Sequence, residues 1–108
     1  AGEALPSFAQ TSDDVSPPEG AESAYRVIEA ARRRGDNGRV ETLVYAFADK
    51  NTPYMYWLGR SFLILGDIYA EKGDTFQARA TYQSIVDGYP SQTDGVVKEA
   101  RERIAALK

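Results

Sequence analysis

Residues 62–90 read FLILGDIYAEKGDTFQARATYQSIVDGYP, and this stretch decides the fold. Phe62, Leu65 and Tyr69 fall three and four positions apart, so they share one face of a helix. Gly73 then supplies the left-handed turn that ends a helix without a Cβ clash. Asp74-Thr75-Phe76-Gln77 restarts one, with Asp as the N-cap and Gln three positions on. Ala78, Tyr82, Ile85 and Val86 repeat the helical spacing, and Pro90 stands just past the end. Two antiparallel helices joined by a short turn are therefore expected. Gly66 and Ala78 are the small residues where they cross, and Tyr82 fills between Phe62, Leu65 and Tyr69.

Working outward, the same signals recur. Ser16-Pro17-Pro18-Glu19 reads as a capping box with proline at the first helical position. The helix it opens runs to Arg34 with Ala24, Val27, Ile28 and Ala31 inward, and Gly35 ends it. Asp36 or Asn37 caps a second helix carrying Val40, Leu43, Val44 and Phe47. Thr52-Pro53 repeats the cap-then-proline start for the helix over about 53–72. Ser91 to Asp94 opens a last helix with Val97, Ala100, Ile104 and Leu107 on one face. No segment alternates with period two, so no sheet is expected. The fold class is all-α, with five helices arranged as two hairpins plus a C-terminal cap helix.

Composition narrows the chemistry. The 108 residues contain no His and no Cys, which excludes disulfides, thiolate or imidazole zinc sites, a Cys nucleophile and a His base. Formal charge is −3, yet residues 1–24 hold five acids and no base, so the remaining body has 11 acids against 13 bases. Residues 1–15 read as an acidic extended arm or linker in which Leu5 and Phe8 are the side chains able to pack. The body is 16–108. Its apolar runs are too short for a transmembrane segment. Nothing in the charge balance recommends nucleic acid as a partner.

The spacing Phe62-x2-Leu65-Gly66-x2-Tyr69, with Gly73, Ala78, Tyr82 and Pro90 in register, resembles the tetratricopeptide repeat, a helix–turn–helix unit of about 34 residues. Phe and Tyr replace the usual Trp and Phe, and Ile85 stands where the family has a small residue. The resemblance makes 53–92 the clear repeat. A shift of 38 residues aligns Gly35-Asp36 with Gly73-Asp74, Val40 with Ala78, Val44 with Tyr82 and Phe47 with Ile85, whereas a shift of 37 aligns Pro53 with Pro90 and Tyr45 with Tyr82; both exceed 34, so 16–52 reads as a degenerate repeat with a lengthened second helix. A forward shift of 34 sets Val96 against Phe62 and Ala100 against Gly66, with Glu99 and Arg103 replacing Leu65 and Tyr69. Residues 93–108 then read as a polar, solvent-facing cap helix. The stretch from Tyr56 to Thr81 is also similar to C-terminal repeats of bacterial cell-envelope proteins of this family, especially from Bacteroidetes-type organisms. That likeness implies an envelope or periplasmic location and an excised end of a longer array.

The resemblance also implies what the chain does. Family members bind a peptide or partner helix on the concave face, here Arg60, Leu63, Ile64, Asp67, Ala70 and Glu71. The implied function is a non-catalytic protein-interaction scaffold that needs no cofactor or metal. Self-assembly into a homo-oligomer, or service as a structural element of a longer array, is the alternative, since fewer than three repeats are seldom stable alone. A carboxylate enzyme is a remote third, because no convergent acid pair is visible. Among Tyr54, Tyr56 and Trp57, the expectation is Trp57 in the core and Tyr54 on the surface as an anchor. Arg32-Arg33-Arg34 at a helix end complements the helix dipole rather than marking nucleic acid. Arg34-Gly35-Asp36 spells an adhesion tripeptide but falls at a helix stop, and Asp36-Asn37-Gly38 lacks the later ligands of a calcium loop.

Overall fold

The computed structural model describes residues 14–91 and 93–107, and these form five α-helices with no strand among them. They are α1 (Pro18–Arg33), α2 (Asn37–Asp49), α3 (Met55–Glu71), α4 (Thr75–Gly88) and α5 (Val96–Ala106). The two hairpins turn in the same way. Gly35 and Gly73 sit at φ +76° and +83°. Each donates its N–H three residues back, to Arg32 and Ala70, while Asp36 and Asp74 donate to Ala31 and Tyr69 at 3.0 and 2.9 Å. This pattern satisfies the last carbonyls of a helix and needs a left-handed residue, which glycine adopts without strain. The carbonyls of Asp36 and Asp74 then accept the first bonds of α2 and α4. Asp74 also caps with its side chain, accepting from Gln77 N at 3.1 Å, whereas Asp36 does not.

Two expected helix starts differ from the structure. The Ser16 capping box does not form: Pro17 is the N-cap and no side chain caps α1. The Asp14 carboxylate accepts from Ser16 N instead, and Pro18 still occupies the first turn. Thr52-Pro53 does not cap α3, whose N-cap is Tyr54. Thr52 is 5% exposed, donates its hydroxyl to the Val15 carbonyl at 2.7 Å and accepts from Tyr54 N. It fastens the start of the chain to the α2–α3 turn, where Asn51 adopts φ 53°. Most of the expected arm, Leu5 and Phe8 included, lies outside the described residues. Its last residue, Val15, is 3% exposed and belongs to the core.

The helices form two layers. α3 touches all four others, α1 also packs on α2, and α4 also packs on α5. Among the described residues α2 and α4 do not approach each other. α1, α3 and α5 therefore make an inner layer and α2 and α4 an outer one. One apolar cluster runs through all five helices. The 38-residue register holds on the face turned to the partner helix: Ala21, Tyr25, Ile28 and Ala31 are buried, as are Gly59, Leu63, Gly66 and Tyr69. Val40, Val44 and Phe47 are buried like Ala78, Tyr82 and Ile85.

Inside the second hairpin, small and large residues interlock as expected, with one refinement. A Cβ on Gly66 would meet the Tyr82 ring at 2.4 Å, so this glycine is a seat for an aromatic ring more than a crossing point of backbones. Tyr82 donates its hydroxyl to Asp67 at 2.5 Å, Tyr69 donates to Glu41 at 2.5 Å, and Tyr89 donates to Asp94. Each buried ring thus ends on an acceptor, which removes the cost of an unpaired hydroxyl.

Other positions depart from expectation. Phe62 is only half-buried and meets Tyr45 edge-on at 6.3 Å. Val27 is 46% exposed although it shares the helical spacing of Ile28 and Ala31. α5 starts two residues after Asp94, following Gly95 at φ +98°. A Cβ on Gly59 would meet Val96 at 3.0 Å, so the start of α5 packs closely on the first turns of α3. Glu99 and Arg103 do not form the solvent face of α5. They turn back onto α3, and Lys98, Arg101, Glu102 and Ala105 take the exposed positions.

Candidate functional site

The inner layer is the surface on which partner-binding residues are expected, and its side chains are laced together. Arg32 near the end of α1 holds Glu71 at the end of α3 at 2.5 Å. Arg60 holds Glu99 at 2.7 Å, and Arg103 Nε donates to Asp67 at 2.8 Å. These contacts join like ends of α1, α3 and α5, so the three inner helices run parallel. The Arg32 hydrogen bond lowers the Glu71 carboxyl below its ordinary value. Half-exposed pairs of this kind contribute about 0–1 kcal/mol each. Their larger effect is on register and on the charge left for a ligand.

Of the seven expected binding residues, Arg60, Asp67 and Glu71 are therefore already paired within the chain. Leu63 is 2% exposed and faces the core, because the 38-residue register puts it at the level of buried Tyr25. Ile64 and Ala70 are half-buried, and Tyr54 is 37% exposed as expected. Asp67 is the most heavily engaged: it accepts from Tyr82 of α4 and Arg103 of α5 together. It clamps three helices and has little capacity left for a partner. Two of the arginine triplet are paired likewise, Arg32 with Glu71 and Arg33 with Glu29 at 3.5 Å.

A different cluster is accessible near the N-terminal ends of the inner helices. Trp57, expected in the core, is only half-buried. Its ring lies 5.4 Å from Tyr25 of α1 and 5.0 Å from Tyr56, which is 40% exposed. Arg26 stacks over Tyr25 and Trp57 at 5.4 and 5.6 Å, and Arg60 over Tyr56 at 6.0 Å. Arg26 is in turn held by Glu22 and Glu29, both at 3.2 Å. The arginines thus supply flat, charge-compensated walls beside two aromatic rings. Such a surface suits packing against a protein side chain better than capture of a free anion. Tyr25 and Arg26 carry no sequence signal except adjacency of a ring and a cation, and their role emerges only once α1 lies parallel to α3.

Among the described residues no three acids are grouped to hold a metal, and every buried side-chain nitrogen or oxygen has a hydrogen-bond partner. No described helix is long and apolar enough to cross a membrane. No family model, curated protein or solved structure matches the chain.

Proposed function

We propose that this chain is a non-catalytic protein-interaction scaffold of the tetratricopeptide kind, docking a peptide or partner helix on its inner layer. The observation that carries the reading is the pair of accessible rings, Tyr56 and Trp57, backed by buried Tyr25 and flanked by two stacked arginines. Aromatic rings and arginine dominate the energetics of protein interfaces. The repeated glycine turn, the 38-residue register and the two-layer order of helices support the repeat assignment. The docking residues in this reading are Arg26, Tyr56, Trp57 and the exposed edge of Arg60, in place of Leu63, Asp67 and Glu71. Peptides selected from a random library on the immobilised chain should bind at least tenfold more weakly to Tyr56→Ala. The variant Phe76→Ala, which removes an 81% exposed ring from α4, should bind them unchanged. Equal loss in both variants, or loss only in Phe76→Ala, would refute this face.

A second reading, a unit within a longer array or a self-associating chain, is favoured by one comparison. Ser61, Leu65 and Ile68 of α3 are buried, while their register counterparts Ser23 and Val27 on α1 are exposed and Ala30 is half-buried. Among the described residues α3 has a hairpin in front of it and α1 has none, so this is the strip that a further hairpin would cover. Light scattering at rising concentration should show a mass above that of one chain for the natural sequence and a monomer for Val27→Glu. A monomer in both cases would rule out self-association through this strip.

A further inference from the structure

Along α1, Glu19, Ser23, Val27, Ala30 and Arg34 follow one another at steps of four, four, three and four residues, so they share one stripe of the helix. The stripe lies outside the buried face of Ile28 and Ala31 and is open: Val27 is 46% exposed, Ser23 is exposed and Ala30 is half-buried. On α3 the matching positions Ser61, Leu65 and Ile68 are buried, so the same register position is covered one hairpin on. The stripe also ends on opposite charges. Glu19 in the first turn and Arg34 at the C-cap are both exposed and form no ion pair among the described residues, whereas Arg32 and Arg33 do.

We propose that a second copy of this chain covers the stripe, its α1 lying antiparallel to the first across a two-fold axis. The pairing rests on self-association, the second of the two readings above, and gives it a geometry. The charges decide the direction. The midpoint of Glu19 and Arg34 falls between Arg26 and Val27, so a two-fold there sets each Glu19 against the Arg34 of the other copy. The same axis brings each Ser23 opposite the other copy's Ala30 and the two Val27 side chains together. A parallel pair would instead oppose like charges at both ends and align the two helix dipoles. A head-to-tail contact through α5 offers no apolar complement, because its exposed positions include Lys98, Arg101 and Glu102. A stripe of about 22 Å is smaller than a standard interface, so the pair is weak and forms at high concentration.

The chain has no cysteine, so a single introduced thiol reports which residues meet. Under mild oxidation Val27→Cys should cross-link into a covalent pair of twice 11.9 kDa. Ser23→Cys should not, because the two copies of that residue stand about 10 Å apart along the helices, beyond the reach of a disulfide. In light scattering, Glu19→Arg and Arg34→Glu should each weaken association about tenfold, and the two changes combined should restore it. Circular dichroism checks that every variant keeps its helix content. Association indifferent to the charge variants, or Ser23→Cys cross-linking as readily as Val27→Cys, would overturn the antiparallel pair while self-association stands. Masses that keep growing beyond two chains would overturn it too, by showing an open head-to-tail contact. A natural chain that stays single at every concentration would overturn both the pair and the self-association on which it rests.

Discussion

Gly66→Leu should abolish cooperative unfolding, and Gly66→Ala should lower stability by about 1–3 kcal/mol, the usual cost of overpacking a core. The sign of the alanine result is informative. Alanine in place of glycine inside a helix favours the folded state by about 1 kcal/mol through propensity alone. At Gly66 that gain is outweighed, because the new Cβ meets three atoms of the Tyr82 ring at 2.4–2.9 Å. Tyr82 cannot swing aside: it is 2% exposed and its hydroxyl is held by Asp67. Leucine must expel the ring altogether, and the loss of a buried aromatic side chain costs about 3–5 kcal/mol. That is comparable to the whole net stability of many small domains. Gly38→Ala is the matched control, since a Cβ there meets nothing within 4 Å. It should raise the melting temperature. A Gly66→Leu chain that melts like the natural one would mean that Tyr82 does not sit on this glycine.

Alkaline pH should unfold the chain steeply, and for a reason located in three residues. Burial, and then donation to Glu41, Asp67 and Asp94, pushes the hydroxyls of Tyr69, Tyr82 and Tyr89 well above the ordinary tyrosine value of 10.0. A group whose folded pKa is raised contributes stability that is complete below its unfolded pKa and is lost as pH climbs toward the folded one. The loss therefore begins above pH 10 and proceeds at about 1.4 kcal/mol per tyrosine per pH unit. With three such groups, one unit removes several kcal/mol, a large part of a small domain's stability. Helix content by circular dichroism should fall in this range together with a rise in tyrosinate absorbance. Complete ionisation of all seven tyrosines with helix content intact would contradict the buried tyrosine–carboxylate pairs.

The elements were legible where local rules decide them. The glycine turns at Gly35 and Gly73 follow from the need for positive φ, and the inward positions of α2 and α4 follow from apolar spacing. Helix starts were less legible at Ser16 and Thr52. There a capping side chain has a competing use: Asp14 takes the Ser16 N–H, and Thr52 bonds a carbonyl 37 positions away. The site was the least legible part. Arg60, Asp67, Glu71, Glu99 and Arg103 follow helical spacing and read as solvated faces when each helix is considered alone. Their pairing depends on three parallel helices meeting with offsets of 36–39 residues, a quantity set by packing. The same packing leaves Trp57 at an edge between α1 and α3, although its size and apolarity point to the core. Val27 is exposed although its register counterpart Leu65 is buried, a difference of position that spacing does not encode.

The central claim, that a protein segment docks on the inner layer at its aromatic edge, is tested most directly by NMR. A library-selected peptide should be titrated into the isotopically labelled chain while backbone amide shifts are followed. The account predicts that the perturbed amides cluster at Tyr25, Arg26, Tyr56, Trp57, Arg60 and Ile64, with α2 and the outer face of α4 silent. Perturbations centred on α2 and α4 instead, with Tyr56 and Trp57 unmoved, would contradict it.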